Sequence, residues 1–167
     1  AALVRSDGHG PRITGCTVGT VTDLGIKDAS NMGAAMAPAA YATIKAHFDD
    51  MKTAPEDFDL IVTGDLGQLG KELLLELARR DGVSLGGKLS DCGTLVFDND
   101  KQDVHAGGSG CGCSAITLCG YLLGQLNGGK LKKILFCGTG ALLSPTSTQQ
   151  GLPIPGVCHA VCIAGGT

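Results

Sequence analysis

Apolar positions along the chain change period several times, and each change predicts an element. From Ile13 to Val21 small or polar residues alternate with β-branched ones, the pattern of a strand. Asp28, Ala29, Ser30 and Asn31 then offer capping side chains, and Met36, Ala40, Ile44, Phe48 and Met51 recur every three or four residues. That spacing predicts a helix with one apolar stripe, ended by the segment from Lys52 to Asp57. Phe58 to Thr63 is short, apolar and bounded by Gly64, as a strand buried on both faces is. A helix followed by a buried strand implies a crossover unit and a parallel sheet. Leu69, Leu73, Leu74 and Leu77 predict a second helix, closed by Arg79, Arg80, Asp81 and Gly82.

The second half of the chain continues in the same way. A short strand is expected between Asp91 and Asp98, followed by a solvated loop from Asp98 to Asp103 whose spacing does not fit a calcium loop. Ile116, Cys119, Leu122, Leu123 and Leu126 mark a third helix that ends at Asn127, Gly128 and Gly129. No Asp, Glu, Lys or Arg occurs from Ser109 to Gly129, and a helix without a charged face is expected to be enclosed on all sides. Ile134 to Cys137 and Val157 to Ile163 are expected to be two paired strands joined by a long loop with prolines, Gly138 to Gly156. Ala1 to Val4 is apolar and stops at the turn formers from Arg5 to Pro11, so it reads as the tail of a strand that starts upstream. There is no internal repeat.

Composition narrows the class. A chain of 167 residues suits one domain, and a 43% hydrophobic fraction with 4% aromatics, no Trp and 27 Gly describes a close-packed α/β core of small aliphatic residues. A net charge of -3 with scattered lysines lacks the basic stripe that nucleic acid requires, so no nucleic acid partner is expected. No apolar run approaches the ~20 residues of a membrane span, and the first residues are too short and polar for a signal peptide. The eight cysteines sit mostly inside apolar runs, which favours buried thiols over disulfides.

Candidate chemistry centres on the stretch from His105 to Ser114, a glycine-dense turn leading into the third helix. Such a turn leaves the first helical N–H groups open to an anion. Gly107, Gly108 and Ser109 are the candidate ligand contacts there, together with His105, whose structural alternative is a histidine hydrogen-bonded in a turn. Asp65 lies after the second strand, at the carboxyl end where open α/β sheets bind ligands, and it equally suits a capping or turn role. The Cys111-x-Cys113 pair reads as packing in preference to a metal site, and no metal site is expected.

The order strand, helix, strand, helix, short strand, uncharged helix, strand, strand resembles one half of the thiolase fold. Four stretches carry a narrower resemblance: Gly25 to Asp28 with Asn31 to Ala40, Asp59 to Gly67, Gln102 to Cys111, and Thr139 to Pro145. They are similar to a thiolase-like family of stage V sporulation proteins from spore-forming bacteria. The resemblance implies a βαβαβαββ half with a mixed, mostly parallel five-stranded sheet, the C-terminal half of a protein about twice this length. It implies a spore protein, peripheral to the inner spore membrane, that binds dipicolinic acid. Such a protein works with membrane proteins of the same operon to bring dipicolinic acid, with calcium, into the developing spore. No further cofactor is implied.

Activity as an enzyme is not expected. The condensing relatives place their nucleophilic cysteine in the half absent here, and two of their acid and oxyanion motifs are replaced by Gly64 to Gly67 and by Gly107 to Ser109. The alternative is a thiolase or ketoacyl synthase-type acyltransferase, with His105 as the base and Cys137 as the proton donor. The pocket is expected between halves, this chain supplying one wall. The isolated fragment, with its central helix uncovered, is expected to form a homodimer.

Overall fold

A computed structural model describes residues 2–105 and 110–166. In chain order the elements are β1 (Arg12–Val18), α1 (Met32–Met51), β2 (Leu60–Thr63), α2 (Gly67–Arg80), β3 (Leu89–Asp91) and α3 (Cys92–Val96). A continuous helical run follows, made of α4 (Cys113–Thr117), a π turn (Leu118–Leu122) and α5 (Leu123–Asn127). β4 (Lys133–Ala141), α6 (Pro145–Gln149) and β5 (Gly156–Ala164) complete the chain.

The five strands form one sheet in the order β1-β5-β4-β2-β3. β2 pairs in parallel with both β3 and β4, while β5 pairs antiparallel with β4 and with β1. The sheet is mixed, as expected, and all strands but β5 share one direction. Its ladders divide evenly between parallel and antiparallel, because β5 sits between two strands that oppose it. The hairpin of β4 and β5 runs in register from Lys133 with Ala164 to Ala141 with Gly156, longer than the apolar runs suggested.

Alternation along the strands fills two cores. Ile61, Leu135, Cys137, Cys158, Ala160 and Cys162 face α1 and α2, where they meet Ala37, Ala40, Ile44 and Leu74. Val62, Ile134, Phe136 and Ile163 face the other way, onto Leu122 and Leu126 of the central helical run. With one residue pointing to each side in turn, a strand covered on both faces must be apolar on both, which is why Leu60, Ile61 and Val62 are all aliphatic, while Thr63 at the end pairs its buried hydroxyl with Asp91. Each fully buried Ile or Leu contributes about 1.5–3 kcal/mol of burial free energy.

Two expectations change. The short strand lies at Leu89–Asp91, and most of the segment where it was expected is α3: the Asp91 carboxylate accepts the Gly93 N–H and turns the chain into a helix. Ala2 to Arg5 is exposed and forms no strand. The central helical run is buried on the sheet side and uncovered on the other, as expected of this half on its own: Ile116 is 68% exposed and Tyr121 50% exposed. All eight cysteines are free thiols, five of them buried.

Candidate functional site

A cavity of about 630 Å³ opens at the carboxyl ends of β2 and β4. Its walls come from the N-terminus of α1, the turn after β2, the end of β4 and the segment leading into α4. Glycines set the spacing of the first two walls. A side chain at Gly33 would run into the Leu66 carbonyl, and one at Gly70 would lie 2.9 Å from the Gly33 Cα, so α1 and α2 cross almost backbone to backbone. That crossing brings Asn31, Met32, Gly33 and Met36 beside Asp65 and Leu66. Asn31 caps α1, its side chain accepting the Ala34 N–H at 3.2 Å.

Asp65 is held from two sides. Its backbone N–H donates to Thr139 Oγ1 of β4 at 3.2 Å, and its Oδ2 accepts the Gly110 N–H at 2.8 Å. Gly64 allows this approach, since a Cβ there would stand 2.9 Å from Thr139 Oγ1. Asp65 thus accepts one of the N–H groups of the glycine-rich segment while lining the cavity.

His105 also lines the cavity, in a left-handed backbone conformation with φ 50°, and its Nδ1 lies 3.4 Å from Asp103 Oδ1. Its side chain is 91% exposed, so it stands at the mouth. Gly107, Gly108 and Ser109 lie outside the described residues. Cys137 is fully buried toward α1 and α2 and is not among the lining residues described. The Cys137 thiol donates to the neighbouring Cys158 sulfur, and this bond together with burial holds it well above its usual range. The side chain proposed as an alternative proton donor therefore faces the sealed core.

Several lining residues were not singled out as contacts in the sequence: Asn31, Met36, Cys111, Ser114 and Thr139. Their signal was positional, because Asn31, Met36, Cys111 and Thr139 all fall in stretches that carry the family resemblance. The described lining has one carboxylate, Asp65, and no Lys or Arg. Among the described residues no three His, Cys, Asp or Glu side chains converge to hold a metal ion, and no helix is long and apolar enough to cross a membrane.

The family model for stage V sporulation protein AD (SpoVAD) matches residues 1–164. Stage V sporulation protein AD of Bacillus subtilis (strain 168) is 48% identical over 157 residues, which is 93% of this chain and 46% of that protein. The chain thus spans less than half the length of this relative. A match that runs almost end to end, with the four resembling stretches gathered round one cavity, places the chain in the stage V sporulation protein AD family.

Proposed function

We propose that this chain is the C-terminal half of a thiolase-like, non-catalytic sporulation protein, and that its cavity is one wall of a dipicolinic acid site used during uptake into the developing spore. One observation carries the reading: four stretches from distant parts of the sequence, the same four that resemble the family, converge on a single cavity. The element order, β, α, β, α, β, helical run, β, β, supports the thiolase-like half. The exposed outer side of the central helical run supports a second half packed against it.

Dipicolinate is a flat dianion, and this wall offers it no cation. Its carboxylates are therefore matched by basic groups from the other half, or by calcium carried with the ligand and shared with Asp65. The cavity's apolar surfaces, Met32, Met36 and Leu66, suit the ring. His105 at the mouth, with Gly107, Gly108 and Ser109, supplies the hydrogen bonds. The protein acts at the inner spore membrane through membrane proteins of its operon, and the isolated half pairs with itself through the uncovered helix face.

The test is calorimetric titration of dipicolinate into the full-length protein and its Asp65→Ala variant. Loss of at least about tenfold in affinity supports the site; unchanged affinity removes Asp65 and this wall from it. Incubation with acyl-CoA provides the opposing arm. Acylation or turnover that disappears on His105→Ala replaces the binding reading with the acyltransferase one.

A further inference from the structure

We infer that Asp91 is a positioning residue for this cavity: its buried carboxylate fixes the Gly64–Gly67 turn and, through that turn, the orientation in which Asp65 receives Gly110. Only the consequence for ligand binding rests on the function proposed above. α2 begins without a local cap, since Leu66 at the N-cap has no side-chain acceptor and Gly67 has a left-handed φ of 69°. The first N–H groups of α2 need acceptors from elsewhere. Asp91, at the end of β3, provides them: Oδ1 accepts the Leu66 N–H at 2.7 Å and Oδ2 accepts the Gly67 N–H at 3.1 Å.

The same carboxylate accepts the Thr63 hydroxyl at 2.7 Å, from the last residue of β2, and the Gly93 N–H at 2.9 Å, at the start of α3. Four donors, three of them flanking Asp65, therefore converge on one side chain with no exposed surface. Burial, with the nearby Asp65 carboxylate adding to it, raises the Asp91 carboxyl above its usual range, and the bonds from Thr63, Leu66 and Gly67 oppose the shift. A cap alone needs no buried carboxylate, because an Asn or Ser supplies one acceptor at lower desolvation cost. Four simultaneous hydrogen bonds, however, need the two oxygens and several lone pairs of a carboxylate. What they immobilise is the strand end and turn on either side of Asp65, whose own side chain then reaches Gly110 on a segment 45 residues away.

Amide hydrogen exchange in the full-length protein tests this without any ligand. Gly110 bonds to Asp65, while Val83, beyond the far end of α2, bonds to Ala78 at 2.8 Å and serves as the internal reference. Asp91→Asn is expected to speed exchange at Gly110 about tenfold beyond any change at Val83. Asp65→Asn is expected to do the same, and the double variant to show no further increase. Equal acceleration at Gly110 and Val83, or additive effects, would mean a general loss of stability and overturn the inference. If Asp91→Asn does not fold, Thr63→Val removes a single donor and is expected to accelerate Gly110 about threefold, with an unchanged Gly110 the contrary result. Dipicolinate titration of the same variants separates the two claims: coupled exchange in a protein that does not bind dipicolinate upholds the role of Asp91 and rejects the ligand.

Discussion

On one face of the sheet, α1 and α2 cover Ile61, Leu135, Cys158 and Ala160 so closely that Ala37, Ala39, Ala40 and Ile44 have no exposed surface. On the other face, the helical run from Cys113 to Asn127 covers Val62, Ile134 and Phe136, yet its own outer side, with Ile116, is bare. The first face carries its charges outward, as in Glu76 with Arg79 and Arg80 on α2. The second has none to carry, since the chain has no Asp, Glu, Lys or Arg from Ser109 to Gly129 or from Ile134 to Thr167. An uncharged surface left uncovered is the surface that meets a partner. The cavity lies where the sealed and bare regions meet, which is where the proposed second half would supply its other wall.

The largest effect should separate the two faces outright. Leu135→Asp places a charge in the sealed core and is expected to unfold the chain, a cost above about 4 kcal/mol. Ile116→Asp should leave the denaturation midpoint of the isolated chain within about 0.5 kcal/mol of its parent while abolishing self-association, read by light scattering. A monomeric parent, or an Ile116→Asp chain that unfolds, breaks the comparison.

Glycines sharpen it next. Gly33→Ala forces a methyl against the Leu66 carbonyl and should cost about 1–3 kcal/mol in denaturant unfolding, while weakening dipicolinate binding through the displaced cavity wall. Gly120, on the bare face, has nothing within 4 Å of where its Cβ would be. Gly120→Ala should cost the isolated chain nothing, and any loss should appear only in assembly with the other half.

A smaller effect concerns His47 of α1, buried on the sealed face with its Nδ1 2.9 Å from Thr17 Oγ1. Burial, reinforced by Lys133, holds its pKa below the usual histidine value. The unfolded chain therefore binds the proton that the folded chain resists. The His47 contribution to stability is complete above the unfolded value of about 6.5 and falls as pH drops through it, by at most about 1.4 kcal/mol per pH unit. Urea midpoints at pH 7.5 and 5.5 should diverge less in His47→Gln than in the parent. Smallest of all, Glu76→Gln breaks a solvent-accessible ion-pair cluster and should leave the midpoint unchanged.

Periodicity made α1, β2, α2 and the β4–β5 pair legible, because their apolar positions report which face is buried. It misread Cys92–Val96, where the deciding interaction is the Gly93 N–H donated to the Asp91 carboxylate, a cap that the apolar period does not register. The uncharged helix was legible as a surface to be covered, since hydropathy records that much, though not whether the covering segment is in the same chain. At the site, Asp65 was legible from its place after β2. Asp91 was not, because its role depends on β2, α2 and α3 meeting in space. Asn31 and Thr139 became visible as lining only when α1 and β4 were placed beside the turn.

The most direct test of the account is to titrate dipicolinate into the full-length protein and, separately, into this half held monomeric by Ile116→Asp. The account predicts binding by the full-length protein and none by the monomeric half, because the cations that match the dianion come from the other wall. Equally tight binding by the monomeric half would contradict it.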